Sequence, residues 1–310
     1  MTVNGVLRLG EVALRVLDLD KTLTHYTDYI GLSEVMRDKD GQAYLKAWDE
    51  HDHHSVVLRE TNEAGIDYFA FKVLDDETLT ALEKRVAAAG VPVERIDAGV
   101  YPKSGRRIQF QIPSGHTMQL YAEKEQNGNT IPTTNPEVLP DPAVVKGMAP
   151  TRTDHVLLYG PNIPETAKFL IEALGFELTE QIIDDESGTQ VSAFLACSNK
   201  AHDIAFVSHP EPGKLHHVSF NLPSVQDIYH AGDIIGKYRI STDIGPTRHG
   251  ITRGATIYFF DPSGNRNEVF AGGYIRYPDM PVLTWMTSNL GSAIFYVDQE
   301  LNENFLGVVT

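Results

Sequence analysis

Extended apolar runs and stretches of helical periodicity alternate along this chain in an order that recurs. Gly10-Glu-Val-Ala-Leu-Arg-Val-Leu17 reads as a strand, and the segment from Asp18 to Gly31 has the Asp start and Gly stop of a helix. Short strands follow to Leu58. A second unit opens with a strand over Ile66 to Val73, continues with a helix from Asp75 to Gly90, and closes with strands at Arg107 to Ile112 and Thr117 to Ala122. A third begins with a strand over Asp154 to Gly160 and a helix over Asn162 to Gly175. The fourth has a strand over Leu215 to Leu222 and a helix near Ser224 to Ile235. It ends in a β-branched, aromatic run, Thr256 to Phe260, followed by a type I turn, Asp261-Pro-Ser-Gly264, and a second extended run that carries Glu268. Four βαβββ units, two per half, predict an α+β fold of two domains. Residues 125–148, rich in Pro, Asn and Thr and without periodicity, read as a linker. The expected partition is an N-terminal domain over 1–130, a linker over 131–149 and a C-terminal domain over 150–310. For the apolar runs between Met280 and Thr310 three readings stand, a cover over a site, a subunit contact or a last packed helix, the last being the expectation.

The halves align on two features. Pro113-Ser-Gly matches Pro262-Ser-Gly, and Asp67-Tyr-Phe-Ala-Phe matches His216-His-Val-Ser-Phe; Tyr68 to Gln119 and His217 to Glu268 each span 51 residues. The agreement indicates an internal duplication, and the halves disagree where chemistry would sit. His155, His217 and Glu268 in the second half correspond to Glu11, Tyr68 and Gln119 in the first. Two imidazoles and a carboxylate are the facial set that holds a non-haem Fe(II) with positions left open. Glutamine is neutral and tyrosine a poor ligand for Fe(II), so the first half is expected to hold no metal. Strand alternation selects His217, which shares a face with Ser219, and sends His216 to the opposite face. His51-Asp-His-His54 lies in a polar run and reads as a solvated turn, although His53 falls opposite His202 in the repeat.

Charge narrows the partners. With 26 basic against 42 acidic residues, the net charge of −16 argues against nucleic acid and against an anionic membrane surface. The single cysteine, Cys197, lies in an apolar run and reads as a packing residue, which fits a reducing compartment. No apolar run approaches membrane-spanning length and no signal peptide precedes the first strand, so a cytoplasmic protein is expected.

Thr247-Arg-His249, Ile257-Tyr258, Asp261-Pro-Ser-Gly264 and Glu268 together resemble the signature of type I extradiol ring-cleavage dioxygenases, in the vicinal oxygen chelate superfamily. The resemblance spans nearly the whole chain. Ala201-His-Asp-Ile-Ala-Phe, Leu215-His-His-Val-Ser-Phe and Gly245-Pro-Thr-Arg-His-Gly are most similar to its catechol-cleaving members. It implies paired βαβββ modules wrapping a funnel, with Fe(II) bound by His155, His217 and Glu268 and with His202, His249 and Tyr258 around the substrate. It also implies catechol or a substituted catechol as substrate, O2 as co-substrate, 2-hydroxymuconate semialdehyde as product from catechol, and a homotetramer. By the same resemblance His202 moves the substrate proton, while His249 and Tyr258 hold substrate oxygen. Two other readings are a superfamily isomerase or transferase and a non-catalytic aromatic-binding module. The histidines at 202 and 249 argue against the first, and the retained ligands against the second.

Overall fold

The computed structural model describes residues 5–310. The four units are present in order. The first has β1 (Val6–Val16), α1 (Leu19–Thr24), β2 (Ser33–Arg37), β3 (Ala43–Lys46) and β4 (Val56–Glu60). The second has β5 (Gly65–Val73), α2 (Asp76–Ala88), β6 (Glu94–Ile96), β7 (Arg107–Gln111) and β8 (Thr117–Tyr121). The third has β9 (Arg152–Gly160), α3 (Ile163–Leu174), β10 (Glu177–Ile183), β11 (Gln190–Ala196) and β12 (Ile204–Ser208). The fourth has β13 (Lys214–Asn221), α4 (Val225–Tyr238), β14 (Thr242–Arg248), β15 (Gly254–Phe260) and β16 (Arg266–Gly272).

Local chemistry sets the ends of the helices. Asp75 caps α2 by accepting from Thr78 N, and α4 opens on a capping box of Ser224 and Asp227. Gly175 takes the left-handed conformation that closes α3. The helix expected from Asp18 to Gly31 departs from this regularity. α1 starts at the Asp18 cap, but from His25 to Ile30 the backbone widens into a π-helical turn before Gly31. Start and stop residues mark where a helix ends, not how many residues each turn holds.

Each half forms one sheet. The first runs β2-β3-β4-β1-β5-β8-β7-β6, with antiparallel β1 and β5 at its centre flanked by parallel β4 and β8. The second runs β14-β15-β16-β13-β9-β12-β11-β10 and ends on β17 (Leu283–Met286), with β9 and β13 in the matching central places. Its edge strand β17 comes from the tail, which goes on to α5 (Leu290–Ile294) and α6 (Glu303–Gly307). The tail is therefore not a single packed helix. It extends the sheet and then folds back so that Phe305 and Leu306 line a cavity in the second half.

One apolar core runs through both halves, with Phe71 edge-on to Phe176 at 5.1 Å and Phe110 to Phe169 at 5.9 Å. The hairpin turns cross over this seam reciprocally. Gly213 N donates to Ser114 O (3.1 Å), and His116 Nε2 donates to Lys214 O (3.0 Å). In the other direction Leu17 N donates to Ser263 Oγ (2.8 Å) and Asn265 Nδ2 to Arg15 O (2.9 Å). The Pro-Ser-Gly turns shared by the halves are thus docking points. No described helix is long and apolar enough to cross a membrane.

Candidate metal centre

Strand register assembles the centre. Ser219 on β13 pairs with His155 across the antiparallel ladder to β9 and with Glu268 across the parallel ladder to β16, while Tyr258 on β15 pairs with Glu268. Neighbouring strands lie about 4.8 Å apart, so Tyr258, Glu268, Ser219 and His155 make one row across the sheet. His217, two residues before Ser219, joins that face. The small Ser219 side chain leaves the middle of the row open.

The ligand atoms of His155, His217 and Glu268 all lie within 4.8 Å of one another, and all three residues are buried. Glu268 Oε2 is 2.9 Å from His155 Nε2 and 3.3 Å from His217 Nε2, and the two imidazole nitrogens are 3.4 Å apart. Each residue is held from behind. His155 Nδ1 lies 2.9 Å from Asp154 Oδ2, which can only accept, so the proton sits on Nδ1 and the Nε2 lone pair faces inward. His217 Nδ1 lies 2.7 Å from His216 Nδ1, and Thr256 Oγ1 donates to Glu268 Oε1 (2.6 Å). Glu268 Oε2, fully buried, has no hydrogen-bond partner among the described residues. An orphaned carboxylate oxygen beside two inward lone pairs is the pattern a divalent cation satisfies, so these residues fit a metal ion.

Charge at the centre is set by the same neighbours. Burial works against charge on Glu268, yet the His217, His155 and His249 imidazoles outweigh it and hold its carboxyl well below the usual range. Burial brings His217 down to about 4. Burial also opposes charge on His155, but Asp154 and Glu268 raise it.

His202, His249 and Tyr258 reach the same cavity, which is walled by Leu157, Ile182, Phe194, Ile251, Phe270 and Phe305. His202, in the loop between β11 and β12, lies against His155 with ring centroids 4.0 Å apart, and its buried Nδ1 has no hydrogen-bond partner among the described residues. Burial, and then His155, hold it well below the ordinary imidazole range. Lys200 ties that loop down by pairing with Asp203 (3.0 Å) and Asp154 (3.4 Å). His249 follows β14; its Nδ1 donates to Ile294 O (2.5 Å) and its Nε2 lies 2.8 Å from Tyr258 Oη. Burial, and then Glu268, push the Tyr258 phenol well up.

Two expectations are corrected. His216 does not point to the opposite face, because a register shift between Leu215 and His217 breaks the alternation there. Both rings line the cavity, and His216 stands behind His217, packed on Phe305 and reached by Arg266 Nη1 (3.2 Å). His51-Asp-His-His54 is not a solvated turn: Asp52, His53 and His54 are buried, and only His51 is exposed.

His54 Nε2 lies 3.1 Å from Glu11, in a buried cluster at the first half's matching place. Glu11 and Gln119 converge there on Arg107, which contacts Glu11 (2.8 Å) and Gln119 (2.9 Å), while Lys124 and the Tyr68 hydroxyl also donate to Glu11. Arg107 holds the repeat position of Thr256, twelve residues before Gln119 as Thr256 is before Glu268. Fixed cations thus face the buried carboxylate in the half without the ligand set. Cys197 is half-buried against the core, and burial pushes its thiol well up.

Sequence reasoning missed Asp154, His216, Arg266, Thr256 and Phe305. Only Asp154, directly before His155, carried a local signal.

Residues 66–125 match the Catechol 2,3-dioxygenase-like N-terminal domain, and residues 152–269 match the Glyoxalase/Bleomycin resistance protein/Dioxygenase superfamily. The chain is 52% identical to a metapyrocatechase of Pseudomonas sp. (strain CF600), over 99% of each chain. It is 30% identical to a manganese-dependent 2,3-dihydroxybiphenyl 1,2-dioxygenase of Geobacillus genomosp. 3, over 96% of this chain and 95% of that one. The crystal structure of the 2,3-dioxygenase LapB from Pseudomonas sp. KL28 superposes with a TM-score of 0.90 at 48% identity, covering 92% of this chain and 99% of that one. By sequence, fold and the row of residues at its centre, the chain belongs to the extradiol ring-cleavage dioxygenases of the Glyoxalase/Bleomycin resistance protein/Dioxygenase superfamily.

Proposed function

We propose that this enzyme opens the ring of catechol, or of a ring-substituted catechol, with O2 beside the two hydroxyls, giving 2-hydroxymuconate semialdehyde from catechol. The metal would be Fe(II), held by His155, His217 and Glu268. The observation that carries the reading is the convergence of these three buried donors, with Glu268 Oε2 unpartnered, on an apolar cavity. Bound Fe(II) supplies a redox-active Lewis acid with positions for a chelating diol and for O2, which overcomes the spin barrier between O2 and an aromatic ring.

The protein's part is proton handling, orientation and water exclusion. His202, kept neutral by burial, can accept a hydroxyl proton from the diol and return it as the ring opens. His249 Nδ1 donates to Ile294 O, which leaves Nε2 to accept from the Tyr258 hydroxyl. With its proton turned to His249, the Tyr258 oxygen stands at one edge of the cavity to accept from a substrate hydroxyl. Leu157, Phe194, Ile251 and Phe305 take the ring and keep water out. The catalytic domain is residues 150–310, joined by the 131–149 linker to a domain over 1–130 that carries no metal. We place the enzyme in the cytoplasm as a homotetramer, its net charge of −16 disfavouring nucleic acid and anionic membranes.

The test is to load the metal-stripped protein anaerobically with Fe(II), add catechol and follow O2 uptake and the yellow ring-fission product. Loading with Mn(II), the metal a relative is named for, is the parallel arm. Uptake with Fe(II) and none without metal is expected; no uptake with Fe(II) would sink the reading. Glu268→Gln, which copies Gln119, should leave the circular dichroism spectrum intact and lose metal retention. If that variant keeps its metal, the ligand assignment is wrong.

A further inference from the structure

Asn267 precedes Glu268 on β16 and so projects from the other side of the strand, away from the cavity and into the seam between the halves. It is fully buried, and its amide is gripped at both ends by the first half. Oδ1 accepts from His25 Nε2 (2.9 Å), and Nδ2 donates to Tyr26 Oη (2.9 Å). Tyr26 in turn donates to Asp261 Oδ2 (3.4 Å), at the start of the same hairpin. His25 and Tyr26 are consecutive, and they sit where α1 widens into its π-helical turn. Packing immobilises both rings, His25 on Phe259 (5.7 Å) and Tyr26 on Phe220 (6.2 Å).

We propose that His25 and Tyr26 are positioning residues for Glu268, acting through the Asn267 amide. The inference rests on the reading of Glu268 as a metal ligand. Its strongest support is the internal repeat. Counted from the closing glycines Gly31 and Gly175, His25 and Tyr26 correspond to Phe169 and Leu170, on a helix with no π turn. Asn267 corresponds to Met118, before Gln119. The fold therefore accepts an apolar trio at this seam, and the polar trio stands only where a carboxylate has to be placed. Apolar contacts hold surfaces together without fixing rotation, whereas hydrogen bonds to both ends of an amide fix position and orientation. Partners lying behind metal ligands typically contribute about 10–100-fold in metal affinity.

The experiment titrates the metal-stripped full chain with Mn(II) by calorimetry, so that no turnover is needed. The triple variant His25→Phe, Tyr26→Leu, Asn267→Met copies the apolar seam; it should stay folded and bind Mn(II) about tenfold or more weakly. His25→Gln keeps an N–H donor and should bind within about threefold of the parent. Leu79→Ala, in the first half's core, controls for lost stability and should leave affinity unchanged. Parental affinity in the triple variant, or a loss as large in Leu79→Ala, would overturn the inference. No Mn(II) binding by the parent would instead overturn the ligand reading beneath it.

Discussion

His155, His217 and Glu268 are alike in burial and differ in what stands behind them: a carboxylate, a neutral imidazole and a hydroxyl. His202 touches the same cavity but has no partner on its buried Nδ1, which suits a group that must take and release a proton. His202→Ala should keep the metal, measured by elemental analysis, and lose about 10²–10⁴-fold in kcat. Loss of metal with the rate would make His202 a support for His155 instead. The three candidate donors stood out because the first half supplies a comparison at each position. His216 was misread because alternation assumes an unbroken ladder, and the shift at Leu215/His217 breaks it. His53 and His54 were misread because a polar run looks solvated until the cluster around Glu11 buries it.

At the scale of elements, the two halves put different solutions on one framework. In the first, β1, β5, β7 and β8 bring Glu11 against Arg107 and Lys124, and burial of the carboxylate is outweighed by those cations, which hold it well below its usual range. Removing one member leaves a buried charge unpaired. Arg107→Met should therefore destabilise the chain by about 3–5 kcal/mol, measured by urea unfolding, with Mn(II) affinity in the second half unchanged. A loss under about 1 kcal/mol would show that Lys124 and His54 suffice for Glu11. The βαβββ order was legible from the first strand and helix of each unit, since period and turn chemistry are local, while β10 to β12 were not placed one by one. The π turn over His25–Ile30 was not, because residues of the same type pack in α and π turns alike.

For the molecule as a whole, the seam between the halves is sensitive to acid. Burial brings His25 and His116 down to about 4, only partly offset by their bonds to Asn267 and Lys214 O. An unfolded imidazole takes its proton near 6.5, so as pH falls from 6.5 to about 4 the unfolded chain binds protons that the folded one refuses. Each histidine costs on the order of 3 kcal/mol over that window, and the loss then levels off. Burial pushes Asp261 up to about 6, so its native carboxyl takes a proton first and offsets roughly one histidine. Unfolding free energy should therefore fall through this range, and His116→Gln should flatten the slope. An unchanged slope in that variant would remove His116 from the account. The tail also belongs to this scale. Its apolar runs were visible in the sequence, but its place at the cavity rests on distant contacts, among them Arg266 Nη2 donating to Phe305 O (3.1 Å) and Phe305 packing on Tyr258.

The sequence by itself determined the four units, the duplication, the turns and the three candidate donors, because periodicity, capping and spacing act over a few residues or repeat at a fixed interval. Only the tertiary structure decided that Glu268 Oε2 is left without a partner among the described residues, that cations meet Glu11, that the tail lines the cavity and that the first half grips Asn267. Those facts depend on contacts between residues far apart in the chain, whose meeting is set by sheet register and the packing of one half on the other. No local pattern encodes which buried groups will face each other across that seam.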